Sequence, residues 1–271
     1  MPPSVAVVTD STAYLPPTPG VSVVPVQVVS SGTSCDEGAF TGDLHAATTS
    51  RPAPARFASC YAALAAAGAT EIVSIHLSGE LSGTAESARI AAKEAPLPVE
   101  VIDSGSIAMG LGFPVLAAAE AAVRGEELEG VVRAALGCAA RTRTFFYADT
   151  LEFLRRGGRV GTAASLFGSA LAIKPLLQFV DGRVTLLEKV RTATRAIARL
   201  EDLAVAAAGQ GPARVAVQHL AAWDRARALA ERLPKRLAGV TDLQLVEVGA
   251  VIGVHVGPGM LGLTVCPEGR P

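Results

Sequence analysis

The sequence predicts an α/β protein. Residues 1–143 are expected to form a parallel α/β layer, and residues 144–271 an α+β part with a mixed or antiparallel sheet. Three observations lead there. Short apolar runs alternate with helix-spaced segments through the first half, as in a parallel sheet covered on both faces. The second half clusters strand-like runs and places Asp181-Gly182 between two of them, a strong hairpin signal. Half of the 271 residues are apolar, enough to bury one large core or two moderate ones.

The elements follow in order. "SVAVVTD" is a short apolar run with polar punctuation, which predicts a buried parallel strand, and "VSVVPVQVV" predicts a second. "ARFASCYAALAAAG" has helical spacing and a glycine stop and precedes the strand "TEIVSIHL". A Ser/Gly loop leads into the helix "GTAESARIAAKEA" and the strand "PVEVID", and two further helices reach residue 143. Beyond it, "RTFFYAD" predicts a strand and "TLEFLRR" a helix ending at Gly157-Gly158. "KPLLQFVDGRVTLLEKV" predicts the hairpin. "ATRAIARLEDLAVAAAG" and "AAWDRARALAERLPKRL" predict helices, and "RVAVQHL", "LQLVEVG", "AVIGVHVG" and "LGLTVC" predict strands.

Composition narrows the function. With 24 basic and 25 acidic residues the net charge is -1, and aromatics make up 4%, so neither a basic field nor a stacking platform favours nucleic acid. Cys35, Cys60, Cys138 and Cys266 lack metal-ligand spacing and have no histidine cluster, which predicts reduced thiols, no metal and a cytoplasmic protein. The start "MPPSVAVVTD" has no basic region, and no signal peptide is expected. The 20 uncharged residues between Glu247 and Glu268 contain five glycines and two prolines and alternate like a strand, which argues against a membrane span.

Gly257-x-Gly259-x-x-Gly262 spells a dinucleotide fingerprint, but only nine residues with two prolines follow it. The helix and acidic residue that such a site needs have no room. Read as a strand, this stretch puts Val251, Gly253, His255 and Gly257 on one face, so the glycines leave space beside the imidazole for a ligand group or a crossing backbone. A satisfied core histidine is the alternative. Three loops follow first-half strands: "TDST" from Thr9, "LSGELSGT" from Leu77 and "DSGS" from Asp103. Their hydroxyls and backbone N–H groups suit one weak anion such as a carboxylate, or they are simply Asx turns and helix caps. No G-x-S-x-G elbow exists, which weakens a serine-hydrolase reading. Arg155, Arg156, Arg159, Lys174, Arg183, Lys189, Arg191 and Arg195 form either a solvated face or a docking patch for an acidic partner.

Taken together, "VAVVTDSTAYLP", "TSRPAPARF", "LSGELSGTAESA", "VIDSGSIAMGLG", "LEFLRRGGRVG", "KPLLQFVDGRVTLLEKVRT" and "VIGVHVGPGMLGL" resemble the DegV family of bacterial fatty-acid-binding proteins, in family order from about residue 5 to 265. The resemblance implies two α/β domains, an N-terminal parallel-sheet one over residues 1–143 and a C-terminal α+β one over residues 144–271 with a largely antiparallel sheet, with a long-chain fatty acid in an apolar tunnel and its carboxylate near the domain junction. It implies a carrier without catalytic residues, metal or cofactor beyond the bound lipid. A separate ATP-dependent fatty-acid kinase would make the acyl phosphate, and transient membrane contact is compatible with that role. The carboxylate contacts map onto Thr49, Ser50, the Ser78-Gly79 loop and His255, and Arg159 and Arg191 become candidate kinase-docking residues. The sequence departs from the family pattern at Gly79, where a second serine is usual, at Arg51, where glutamine is usual, and in a shorter 36–49 stretch. The rival expectation is an acyl-ester hydrolase or a phosphotransfer enzyme using His255.

Overall fold

The computed structural model describes residues 4–159 and 173–269; the last two residues of "LEFLRRGGRVG" lie outside them. The described chain divides into two units, one within Met1–Phe40 and Thr49–Ala140, the other within Thr41–Thr48 and Arg141–Pro271. The short Thr41–Thr48 segment thus groups with the second half of the chain, which no feature of its sequence signals.

In unit 1, β1 (Val5–Asp10) is buried at every position. After β2 (Val21–Val24), β3 (Gln27–Ser30), β4 (Thr33–Asp36) and β5 (Ala47–Ser50), of which only Thr49 and Ser50 group with unit 1, come α1 (Pro54–Ala66), β6 (Glu71–His76) and α2 (Thr84–Ala92). The unit closes with β7 (Val99–Asp103), α3 (Met109–Val123) and α4 (Leu128–Arg141). A four-stranded sheet of order β2-β1-β6-β7 is parallel throughout. Alternation along β1 explains why no position is wet: Val5 and Val7 pack with Leu111, Val115 and Val131 of α3 and α4, whereas Ala6 and Val8 pack with Phe57, Tyr61 and Ala88 of α1 and α2. "VSVVPVQVV" is two strands, not one. Pro25 interrupts it, leaving β2 in the parallel sheet and β3 in a separate sheet of order β4-β3-β5, because a proline offers no N–H to a ladder.

Unit 2 begins with β8 (Arg143–Tyr147) and α5 (Glu152–Gly157). The hairpin of β9 (Lys174–Val180) and β10 (Arg183–Val190) turns through Asp181 at φ 49° and Gly182 at φ 77°, the left-handed pair that matches strand twist. Then come α6 (Ala193–Ala208), β11 (Ala213–His219), α7 (Trp223–Arg236), β12 (Val240–Glu247), α8 (Ala250–Val256) and β13 (Leu261–Pro267). The sheet order is β10-β9-β8-β13-β11-β12, antiparallel except for the parallel β11/β12 pair. Leu200 of α6 and Leu229 and Leu233 of α7 bury themselves against Val215, Val217, Leu261 and Leu263 on one face of it.

"AVIGVHV" is the helix α8, which corrects the strand expected from its valines and isoleucine. Strand propensity is a weak preference that packing overrides, and glycines bracket the segment at Gly249 and Gly257. The two-residue periodicity that aimed His255 at a glycine-lined face therefore does not exist. The glycines are filled from within the protein: Gly253 lies against Leu44 and Leu220, Gly257 against Phe153, and Gly259 against Asp149.

Candidate functional site

Unit 2 contains a cavity of about 250 Å³ lined by His45, Ala46, Ala47, Thr48, Arg156, Gly157, Arg159, Val254 and His255. Its construction starts at α5, a single short helix that stops at Gly158, where φ is 67°. Arg156 on its last turn donates to the carbonyls of Leu44 (2.9 Å), His45 (2.6 Å) and Val254 (3.4 Å). The Val254 carbonyl lies in the last turn of α8, where carbonyls have no helical partner, so a cation there is doubly favourable. One guanidinium thus ties the Leu44–Ala46 turn and α8 to α5. Its carbon sits 4.9 Å above the Phe153 ring, which packs against the His45 ring with centroids 4.3 Å apart.

His255 packs against Gly157, where any Cβ would come within 2.6 Å of Nδ1 and 3.0 Å of the histidine Cα. Gly157, not a glycine of its own segment, makes the room for His255. Burial pushes the imidazole down to about 4, the Arg159 and Arg156 charges push the same way, and a hydrogen bond with the Gly157 backbone opposes them. His255 is therefore neutral near pH 7 and has a single ring N–H, which goes either to the Gly157 carbonyl or to another acceptor. Arg159 donates to the Gly157 carbonyl at 2.9 Å and lines the same cavity. The sequence placed Arg159 with a docking face; the structure brings it beside His255. Arg191 is exposed just beyond β10. His45 and Arg156 were missed as lining residues, and no spacing in the sequence relates residue 45 to residue 255.

The hydroxyl-bearing residues belong to unit 1. Thr49 and Ser50 end β5, where Ser50 is exposed. Ser78 is buried beyond β6, donates its N–H to the Ser106 carbonyl at 2.8 Å and accepts the Glu80 N–H at its Oγ. The Gly79 N–H donates to Asp103 Oδ2 at 2.9 Å, and Asp103 Oδ1 accepts the Gly105 N–H. Asp10 accepts the N–H and hydroxyl of Thr12. The "TDST" and "DSGS" acids thus serve as turn and cap acceptors, the plainer of the two expectations for those loops. Among the described residues no cluster of His, Cys, Asp or Glu could hold a metal, no helix is long and apolar enough to cross a membrane, and no disulfide joins the four cysteines.

A parallel α/β unit with hydroxyl-bearing loops beyond its strands is joined in one chain to a mixed-sheet unit with two arginines and two histidines around a cavity, which makes this an α/β protein of two unlike units. The chain belongs to the DegV family. The family model described as "Uncharacterised protein, DegV family" matches residues 4–268. The chain is 55% identical over 274 residues to a DegV domain-containing protein of Streptomyces coelicolor, covering 96% of this chain and 98% of that one. Among solved structures it is similar to a fatty-acid-binding DegV family protein from Thermus thermophilus, with 33% identity, coverage of 97% and 99%, and a TM-score of 0.90. It is also similar to DegV, a fatty acid binding protein from Bacillus subtilis, with 31% identity, coverage of 98% and 100%, and a TM-score of 0.87.

Proposed function

We propose that this protein is a cytoplasmic, non-catalytic fatty-acid carrier that presents the carboxylate of a long-chain fatty acid to a separate kinase. The observation that carries the reading is full-length similarity, at 33% identity and a TM-score of 0.90, to a relative described as binding fatty acid. The neutral donor His255 beside Arg159 agrees with a carboxylate ligand. Carboxylate contacts are assigned to Thr49, Ser50, the Ser78-Gly79 loop and His255. Burying about 14 methylenes at about 0.8 kcal/mol each gives a gross tail contribution of about 11 kcal/mol. Association and ordering costs of roughly 4–15 kcal/mol offset much of it. Each hydrogen bond to the charged head adds about 1.5–3 kcal/mol, so the tail supplies affinity and the head fixes orientation.

In the coupled reaction a carboxylate oxygen attacks the γ-phosphorus of ATP bound to the kinase. The bond to ADP breaks, and acyl phosphate and ADP result. Arg159 and Arg191 are assigned to docking that partner, and Arg159, as a cavity residue, to the lipid head as well. The test is alanine at each position, measured as fatty-acid content and as coupled acyl-phosphate formation. Arg191→Ala should lower phosphorylation about tenfold with lipid content intact, because exposed charges act on encounter and docking. Arg159→Ala should lower both. Unchanged phosphorylation in both variants would refute the docking assignment, and equal loss of lipid in both would place the pair in the tunnel or the fold.

A further inference from the structure

Asp10 closes β1 and His76 closes β6, two strands paired in parallel, and both residues are fully buried. Asp10 Oδ2 accepts from His76 Nδ1 at 3.0 Å and from the Leu77 N–H at 3.0 Å. On the far side of the ring, Nε2 lies 2.7 Å from Ser74 Oγ, and that oxygen lies 2.8 Å from the Tyr61 hydroxyl. Asp, His and Ser are linked here as in a hydrolase relay. The chain does not serve hydrolysis: Ser74 is 0% exposed, and its oxygen is held between His76 and Tyr61. Burial pushes the Tyr61 phenol up to about 12, so it keeps its proton.

What the four residues connect is two segments of unit 1. Asp10 anchors the backbone of Leu77, the residue before Ser78. His76 meets the Phe57 ring edge-on, with centroids 5.0 Å apart, and Tyr61 stands one turn further along the same helix. That helix, α1, starts just beyond Thr49 and Ser50. One buried imidazole therefore touches both the helix that follows Thr49–Ser50 and the strand end that precedes Ser78–Gly79. A buried network whose members satisfy one another has few alternative arrangements.

We propose that Asp10 and His76 are positioning residues, whose hydrogen-bond chain to Ser74 and Tyr61 sets the separation between Thr49–Ser50 and the Ser78–Gly79 loop. The inference rests on the carboxylate reading of those two segments. The test compares affinities of delipidated protein for palmitic acid and for cetyl alcohol, which share a chain length and differ at the head. A loss confined to the fold weakens both alike, whereas a misplaced cradle weakens the acid alone. In His76→Leu the preference for the acid should narrow about tenfold, the scale of one hydrogen bond to a charged group. Removing His76 also strips Asp10 of a buried partner, so Tyr61→Phe, which deletes one hydroxyl, decides alone if His76→Leu does not fold; it should narrow the preference about threefold. An unchanged preference in the folded variants, or an equal loss for both ligands, overturns the proposal. A wild-type protein with no preference for the acid overturns the carboxylate reading itself.

Discussion

Replacing His255 with alanine is expected to weaken fatty-acid binding about ten- to a hundredfold, the loss of one hydrogen bond to a charged group at about 1.5–3 kcal/mol. The tail contribution stays, so binding falls without vanishing, and coupled phosphorylation falls further because the head is no longer held. The same variant should change the acid response of the lipid-free protein. The folded-state value of about 4 lies below the ordinary histidine value of 6.5. The unfolded chain therefore takes up the proton first as pH falls, and stability is lost between about pH 6.5 and pH 4. The full shift corresponds to on the order of 3 kcal/mol. His255→Ala removes that slope, while His219, whose value is also lowered by burial, keeps its own contribution of the same sign. Melting midpoints across pH 4–7 and a lipid titration check both parts. Unchanged lipid affinity with a collapsed midpoint would reduce His255 to a core histidine.

Gly257→Ala is expected to be the more damaging change to stability. Gly257 caps α8 with φ 78° and ψ 167°, a region open almost only to glycine. An added Cβ would also meet the ring of Phe153. Strain and overpacking together should cost about 2–4 kcal/mol. The injury reaches the cavity, because Phe153 supports both His45 and Arg156. Chemical denaturation should show the loss, and lipid affinity should fall with it. Wild-type stability in this variant would mean that the end of α8 is built differently.

These two residues also mark what the sequence could tell. The parallel first half was legible because its strands are continuous apolar runs, and the hairpin because Asp181-Gly182 has one good use. The segment around His255 was not. Seven residues rich in valine read as a strand, while the helix is fixed by glycine at both ends, by Arg156 on the Val254 carbonyl and by Leu44 and Leu220 against Gly253. Those are contacts between residues far apart in the chain, and no local period encodes them. The grouping of Thr41–Thr48 with unit 2 was hidden for the same reason. His255 was singled out on the wrong geometric grounds, and Gly157, which makes its space, looked only like the end of a helix.

The most direct test of the carrier account is mass spectrometry of a solvent extract from the protein purified out of a bacterial host. The account predicts long-chain fatty acid in equimolar amount, released intact and unesterified. A lipid-free protein that hydrolyses an acyl ester, or that accepts phosphate on His255, would contradict it.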